Sequence, residues 1–109
     1  MTTTYKVLGQ SAPSATSNTD VYTVPSATSA VISTVNICNR GAASSTFRLA
    51  VRPGGASLSN EMYLGYDVVI PANDSIALTL GVTMAATDVF TVYASTADFS
   101  FSLFGSEIS

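Results

Sequence analysis

Any chemistry in this chain would have to come from a small set of reactive side chains. The 109 residues include no histidine, one cysteine, four basic residues and seven carboxylates. A serine or cysteine nucleophile needs a base to activate it, and the lack of histidine removes the usual one. Lys6, the only lysine, lies near an exposed terminus, with no burial to turn its amine into a base. The carboxylates are scattered over separate turns and strand edges, so we expect no enzyme activity.

Ligands for a metal ion are equally scarce. Without a Cys/His spacing, zinc has no ligand set. Asn73-Asp74-Ser75 is the one local cluster of oxygen ligands that calcium could use, but it lacks a dense acidic loop and is typical of a polar hairpin turn. Cys38 ends the apolar run Val31–Cys38, which indicates a small buried hydrophobe without a disulfide partner. We predict neither a metal nor a cofactor.

The charge balance narrows the class of partner. With a net charge of −3 and only four basic residues, the chain cannot neutralise a phosphate track, which excludes nucleic acid. Charged residues make up only 10% of the chain, so 16 serines and 14 threonines supply much of the polar surface. Such a surface suits permanent contact with neighbouring subunits. No apolar run approaches the ~20 residues of a membrane helix, and the first residues do not read as a signal peptide. We expect assembly in a cytoplasm and no membrane partner.

β-Strands are predicted to position these side chains, because apolar and polar residues alternate along most of the chain. In Ser45–Arg52, Arg48 and Arg52 share the polar face, opposite an apolar face. The residues predicted to point inward here and in two later strands are Phe47, Leu49, Val51, Ile76, Leu78, Leu80, Phe99, Phe101 and Leu103. Apolar faces of this kind need a second sheet to cover them.

The predicted strands lie near Thr4–Leu8, Asp20–Val24, Ala30–Cys38, Ser45–Arg52, Glu61–Ile70, Ser75–Leu80, Asp88–Ala94 and Asp98–Phe104. Seven or eight short strands predict one all-β domain, a single antiparallel β-sandwich of jelly-roll or immunoglobulin-like topology. Residues 1–19 are predicted to form an N-terminal strand and an extended arm, with Gly9–Thr19 crossing to another sheet or subunit. Residues 20–109 are predicted to form the sandwich core. Val24-Pro25 and Ile70-Pro71 are interpreted as hairpin corners.

Three features could mark a contact surface, although ordinary burial or pairing within the chain would explain each equally well. Tyr63 and Tyr66 are predicted on opposite faces of one strand, so at least one of them should point outward or into an interface. Arg48 and Arg52 form a ridge that can reach carboxylates of a partner, and Phe104 would be an apolar anchor if exposed. The N-terminal arm could add a strand to an adjacent subunit. The candidate interface residues are therefore Tyr5, Lys6, Arg48, Arg52, Tyr63 and Phe104.

Several segments together resemble small virion proteins of tailed bacteriophages, particularly phages of cyanobacteria and other aquatic bacteria. The segments are Leu8-Gly9-Gln10-Ser11-Ala12-Pro13, Val21-Tyr22-Thr23-Val24-Pro25, Val35-Asn36-Ile37-Cys38-Asn39-Arg40-Gly41, Tyr66-Asp67-Val68-Val69-Ile70-Pro71-Ala72-Asn73-Asp74 and Phe101-Ser102-Leu103-Phe104-Gly105-Ser106-Glu107-Ile108. They are turn and strand signatures that span nearly the whole chain.

This resemblance implies a structural protein of the virion, in particular a capsid decoration (cement) protein that bridges major capsid subunits. It also implies a homo-oligomer, with a trimer favoured. The alternative is a tail, neck or fibre component, or a module that binds a host receptor glycan, although the absence of tryptophan weakens that interpretation. A free-standing cellular β-domain is a third interpretation.

Overall fold

The computed structural model describes the whole chain, Met1–Ser109, as eight strands in two antiparallel sheets. The strands are β1 (Thr3–Ser11), β2 (Thr19–Thr23), β3 (Ser29–Asn39), β4 (Ser45–Arg52), β5 (Tyr63–Ile70), β6 (Asp74–Met84), β7 (Val89–Ala94) and β8 (Phe99–Ile108). The first sheet has the order β1-β8-β3-β6 and the second has the order β2-β7-β4-β5. The predicted all-β class is confirmed, and the two sheets form a sandwich-like arrangement.

Apolar side chains from both sheets meet in one core of 17 buried residues. Phe47 of β4 packs against Phe99 and Phe101 of β8, with ring centroids 6.2 Å and 6.3 Å apart. Tilted and edge-on contacts of this kind are the favoured arrangements of aromatic rings. Because β4 and β8 belong to different sheets, these three rings pack the two sheets against each other.

The two proline corners connect sheets rather than neighbouring strands of a hairpin. Pro25 follows β2 of the second sheet and precedes β3 of the first, and Pro71 lies in the same way between β5 and β6. In each corner a residue with positive φ turns the chain, Ala27 at 56° and Asn73 at 54°. The interpretation as hairpin corners is therefore wrong, although the two corners do lie at equivalent places.

Asn39, at the end of β3, links two connections between strands through its side chain. Its side chain is fully buried. The Nδ2 group donates to the carbonyl oxygens of Ala43, Ile70 and Pro71 at 2.9, 3.1 and 3.3 Å, and Oδ1 accepts a hydrogen bond from the Gly41 amide at 3.0 Å. One carboxamide thus satisfies backbone groups of the β3–β4 turn and of the β5–β6 corner.

Extra residues in β5 and β6 reverse two of the predicted orientations. In β6 the register with β3 shifts between Thr79 and Val82, a stretch that contains Gly81 with φ 63°. Inside this shift Leu80 points outward, 38% exposed, while Val82 packs on the core. The prediction that Leu80 points inward is therefore wrong. Such bulges turn the following side chain to the other face of the sheet.

The N-terminal strand is paired within its own chain. β1 runs antiparallel to β8, from Thr3 opposite Ile108 to Ser11 opposite Phe101. Residues 12–18 then cross to the second sheet, so the predicted crossing begins later than Gly9. Addition of this segment to another subunit and a boundary at residue 19 remain predictions. The helical segments are two 3₁₀ turns, Pro53–Gly55 and Asn60–Met62, and neither could span a membrane.

Candidate functional site

The outer face of the second sheet carries a stacked group that we call the tyrosine–arginine cluster: Arg48, Tyr63, Tyr66, Asp67 and Tyr93. The guanidinium carbon of Arg48 lies 4.1 Å from the ring centroid of Tyr66 and 4.4 Å from that of Tyr93. Nε and Nη2 of Arg48 donate to the two carboxylate oxygens of Asp67 at 2.7 and 3.3 Å. Tyr63 meets Tyr66 edge-on, with centroids 4.9 Å apart. The cluster therefore combines cation–π contacts with a bidentate ion pair.

Tyr63 and Tyr66 share one face of β5, so their prediction on opposite faces is wrong. The register of β5 with β4 shifts between Val68 and Gly65 and again between Gly65 and Tyr63. Asp67, inside the first shift, has φ 52°, which is the left-handed region. Two residues three positions apart would point to opposite sides of a regular strand, and the extra residue brings them to the same side.

The cluster presents a fixed charge pair beside an exposed aromatic residue. The hydrogen bond to Asp67 raises the pKa of Arg48 above its ordinary value, so the guanidinium keeps its charge. Tyr66 is 57% exposed, and its ring contacts Tyr63 on one side and the Arg48 guanidinium on another. A rigid aromatic face beside a fixed charge pair is the kind of anchor that protein and sugar partners use.

Arg52 lies on the same polar face of β4, but its donors are occupied within the chain. Nη2 donates to Asp20 at 2.8 Å, Nε donates to the Thr91 hydroxyl at 3.0 Å, and Nη1 donates to the carbonyls of Gly55 and Ala56. Both predicted ridge arginines therefore reach carboxylates of their own chain. Arg52 fixes the 3₁₀ turn, whereas Arg48 supports an exposed ring.

A hollow of about 250 Å³ lies next to Arg52. Its lining residues are Asn18, Asp20, Arg52, Leu58 and Thr91. An amide, a carboxylate and a hydroxyl converge here, within the same sheet face as the tyrosine–arginine cluster. The Thr91 hydroxyl and Oδ1 of Asp20 already bond to each other and to Arg52. The Asn18 amide and Oδ2 of Asp20 are therefore the groups that a small polar ligand could reach.

The outer face of the first sheet has a groove of about 500 Å³ that we call the Phe104 groove. It is lined by Tyr5, Lys6, Val7, Val31, Ser33, Phe104, Gly105 and Ser106. The pairing of β1 with β8 places Val7 opposite Phe104 and Tyr5 opposite Ser106. Tyr5 is 84% exposed and Phe104 is 37% exposed. Phe104 thus meets the condition of exposure under which it could be an apolar anchor, and its role as one remains a prediction.

Gly105 makes the close approach of the strands possible. A Cβ atom at this position would lie 1.9 Å from the carbonyl oxygen of Val31 in β3. No side chain fits there, so β3 and β8 come closer than any other residue would allow.

Lys6, Glu107 and Tyr22 form a brace between the sheets. The Tyr22 hydroxyl donates to Oε2 of Glu107 at 2.6 Å, and Nζ of Lys6 lies 3.2 Å from Oε1. Burial, and then the contact with Glu107, raise the pKa of Tyr22, while the hydrogen bond from Tyr22 lowers the pKa of Glu107. Because Tyr22 lies on β2 and Glu107 on β8, this bond ties the second sheet to the first. The two residues lie 85 positions apart in the chain, so no local sequence pattern predicted their contact.

The structure thus divides the six candidate residues between opposite sides of the molecule. Arg48, Tyr63 and, at a distance along the strand, Arg52 lie on the second sheet. Tyr5 and Phe104 lie on the outer face of the first, and Lys6, which also borders their groove, turns its amine to Glu107. Sequence reasoning missed Asp67 and Tyr93 as parts of the cluster. Tyr93 is the one residue of β7 that is not buried, and the strand has no alternation of burial that could have marked it.

All four cationic side chains are engaged within the chain. Lys6, Arg48 and Arg52 pair with carboxylates, and Arg40 donates to the carbonyls of Ala97 and Phe99 at 3.1 and 3.4 Å. No three carboxylate or thiol side chains come together in a way that could hold a metal ion.

No protein-family model matches the chain, and no curated protein matches it significantly.

Proposed function

We propose that this chain is a structural protein of a bacteriophage virion, namely a capsid decoration protein that bridges major capsid subunits, and not an enzyme. The observation that carries the proposal is the placement of two exposed aromatic surfaces on opposite faces of a small sandwich. The tyrosine–arginine cluster lies on one sheet and the Phe104 groove on the other. A module with two outward surfaces can touch two neighbours at once, as bridging requires.

The strand pairing favours the jelly-roll topology over the immunoglobulin-like one. β1 pairs with β8, β2 with β7, β3 with β6 and β4 with β5, which is the pattern of a long hairpin wound into two sheets. An immunoglobulin-like sandwich would instead pair its first two strands with each other. Jelly rolls include domains of viral capsids and lectins, so the topology supports a virion role as an analogy only.

The copy number of the protein in purified particles tests the proposal. We expect a copy number comparable to that of the major capsid protein, measured by quantitative gel of virions of the phage that encodes the chain. Particles grown with the Phe104→Ser or Arg48→Ala variant should carry less of it and break at a lower temperature. Asn36→Ala, on an outer strand face outside both surfaces, is the matched control. Absence of the protein from particles would contradict the proposal.

A second candidate function is glycan binding by a tail, neck or fibre component. The observation in its favour is the exposed ring of Tyr66 on the same face as the hollow that Asn18 and Asp20 line. Sugars stack on aromatic rings and hydrogen-bond to amides and carboxylates. A glycan array with the purified protein tests this function: binding that Tyr66→Ala abolishes, together with a low copy number in particles, would favour it over decoration.

For partners, we propose the major capsid protein or another virion protein and further copies of this chain. The occupation of every cationic side chain supports the absence of nucleic acid among them. The trimer, the cytoplasmic assembly and the absence of a membrane partner remain predictions.

A further inference from the structure

The four edge strands of the sandwich differ in how well they are protected against pairing with another chain. β2 has only five residues and a register shift next to Asp20. β5 has two register shifts and a carboxylate, Asp67, in the left-handed conformation. β1 carries Lys6 near its middle and a register shift after Val7. Short length, bulges and charges are the devices that keep sheet edges from adding a further strand.

β6 lacks these devices over most of its length. It is 11 residues long, and the segment Ser75–Met84 contains neither a charged residue nor a proline. Its pairing with β3 is regular from Asp74 to Thr79, so this part of the edge is straight. Ile76 and Leu78 face the core but are only partly covered, because no strand lies beyond them.

We propose that β6 pairs antiparallel with β6 of a second copy across a two-fold axis at Ala77. In this register Ile76 lies opposite Leu78 of the second copy, and Leu78 lies opposite its Ile76. Each half-covered apolar side chain therefore gains an apolar neighbour on the core side. On the outer side Ala77 meets its own equivalent, and the hydroxyls of Ser75 and Thr79 meet each other. A self-complementary edge of this kind suits a closed two-fold contact.

The charges of β6 also permit this register. Asp74 is the only ionisable residue of the strand. The two copies of Asp74 would lie at opposite ends of the paired segment, six residues apart along the strand, or about 20 Å. That distance exceeds the ~8 Å Debye length at physiological salt, so their repulsion is screened. A single charged residue at the end of the strand therefore does not prevent pairing.

The contact would join the first sheets of two copies into one continuous sheet of eight strands. Each residue lies opposite one whose side chain points to the same face, so the cores of both copies lie on the same side of the joined sheet. The five paired residues supply roughly four to six backbone hydrogen bonds. The bulge at Gly81 ends the pairing. An edge contact this short belongs with small, reversible interfaces, so the dimer should dissociate on dilution. The inference rests on the proposed self-association but replaces the trimer that the resemblance implies with a dimer, because an edge contact across a two-fold axis closes at two copies.

Exchange of Ala77 for charged residues tests the contact on the full chain. Ala77 is exposed, so the monomer should tolerate Ala77→Lys and Ala77→Glu, which circular dichroism would verify. Sedimentation velocity over a range of concentrations should show a monomer–dimer equilibrium for the wild type. Either variant alone should stay monomeric, since like charges would lie directly opposite each other. An equimolar mixture of the two should recover dimers, because only a two-fold contact at this residue pairs lysine with glutamate.

The matched control is Thr4→Lys, an exposed position on β1 at the other edge of the same sheet. It should dimerise like the wild type. A disulfide test covers the case in which the charged variants fold poorly: Ala77→Cys with Cys38→Ala should form an oxidised dimer, because directly opposed Cα atoms lie ~4.5–5.5 Å apart.

Four results would overturn the inference: a wild type that is monomeric at every concentration, a trimer, a mixture that stays monomeric, or loss of the dimer in Thr4→Lys. The proposed virion function would fail on a different result, absence of the protein from particles, so the two failures can be told apart.

Discussion

Asn39 provides the sharpest test of how the fold is held together. Its buried carboxamide makes four hydrogen bonds of 2.9 to 3.3 Å to backbone groups of two separate connections. A typical hydrogen bond contributes about 1 kcal/mol net, and a buried group left without a partner costs a further ~1–3 kcal/mol. Some of the freed carbonyls can reach water, so we expect Asn39→Ala to lower the free energy of unfolding by about 3–4 kcal/mol.

Urea unfolding followed by circular dichroism measures this loss. The midpoint should fall with an unchanged slope, because the surface exposed on unfolding hardly changes. For a domain of this size, 3 kcal/mol corresponds to a decrease of roughly 12–20 °C in the melting temperature. Asn36→Ala is the matched control on the same strand, because Asn36 makes no side-chain hydrogen bond and should change stability by less than about 0.5 kcal/mol.

Asn39→Asp separates the donor role of the carboxamide from its shape. The carboxylate would face three carbonyl oxygens, which disfavours the charged form and raises the pKa of the introduced group. The variant should therefore be closest to the wild type at low pH and lose stability as the pH rises through the raised pKa. A loss below 1 kcal/mol for Asn39→Ala, or equal losses for Asn39→Ala and Asn36→Ala, would refute the reasoning.

Three further substitutions, one of them with a control, test the packing and the brace. Gly105→Ala should cost at least ~3 kcal/mol or prevent folding, because its Cβ would lie 1.9 Å from a backbone oxygen of β3; Gly65→Ala, with 3.5 Å to its nearest neighbour, should be tolerated in the same thermal melts. Phe47→Ala removes the ring that joins the two sheets and should cost about 3–5 kcal/mol in urea unfolding. Tyr22→Phe should cost about 1.5–3 kcal/mol at pH 7, because it removes a hydrogen bond to a charged carboxylate. The lowered pKa of Glu107 means that this bond stabilises above the unfolded pKa of about 4.3 and that its effect is lost as the pH falls, so the cost should shrink in acid; a cost independent of pH would contradict the brace.

The strands were predictable because alternation and turn residues are local signals. Ser45–Arg52 has the bounds that its pattern predicts, and all eight predicted strands are present. Phe99, Phe101 and Leu103 point into the core as their spacing of two requires. Periodicity of this kind depends only on the pleat of the strand, so it survives whichever neighbour the strand finds.

The register shifts and long-range contacts were not predictable from the same signals. Gly81 and Asp67 adopt positive φ inside strands, and each changes the face of its neighbours. Whether a glycine or aspartate forms a bulge depends on the partner strand, which a local pattern does not contain. For the same reason the cluster around Arg48 was visible only as separate residues, since its members come from three strands.

Electron cryo-microscopy of intact virions tests the proposed role most directly. We expect the eight-stranded sandwich to occupy regular positions on the head, with the tyrosine–arginine cluster and the Phe104 groove each in contact with a neighbouring subunit. Density for the sandwich on the tail alone, or particles without the protein, would contradict the assignment as a capsid decoration protein.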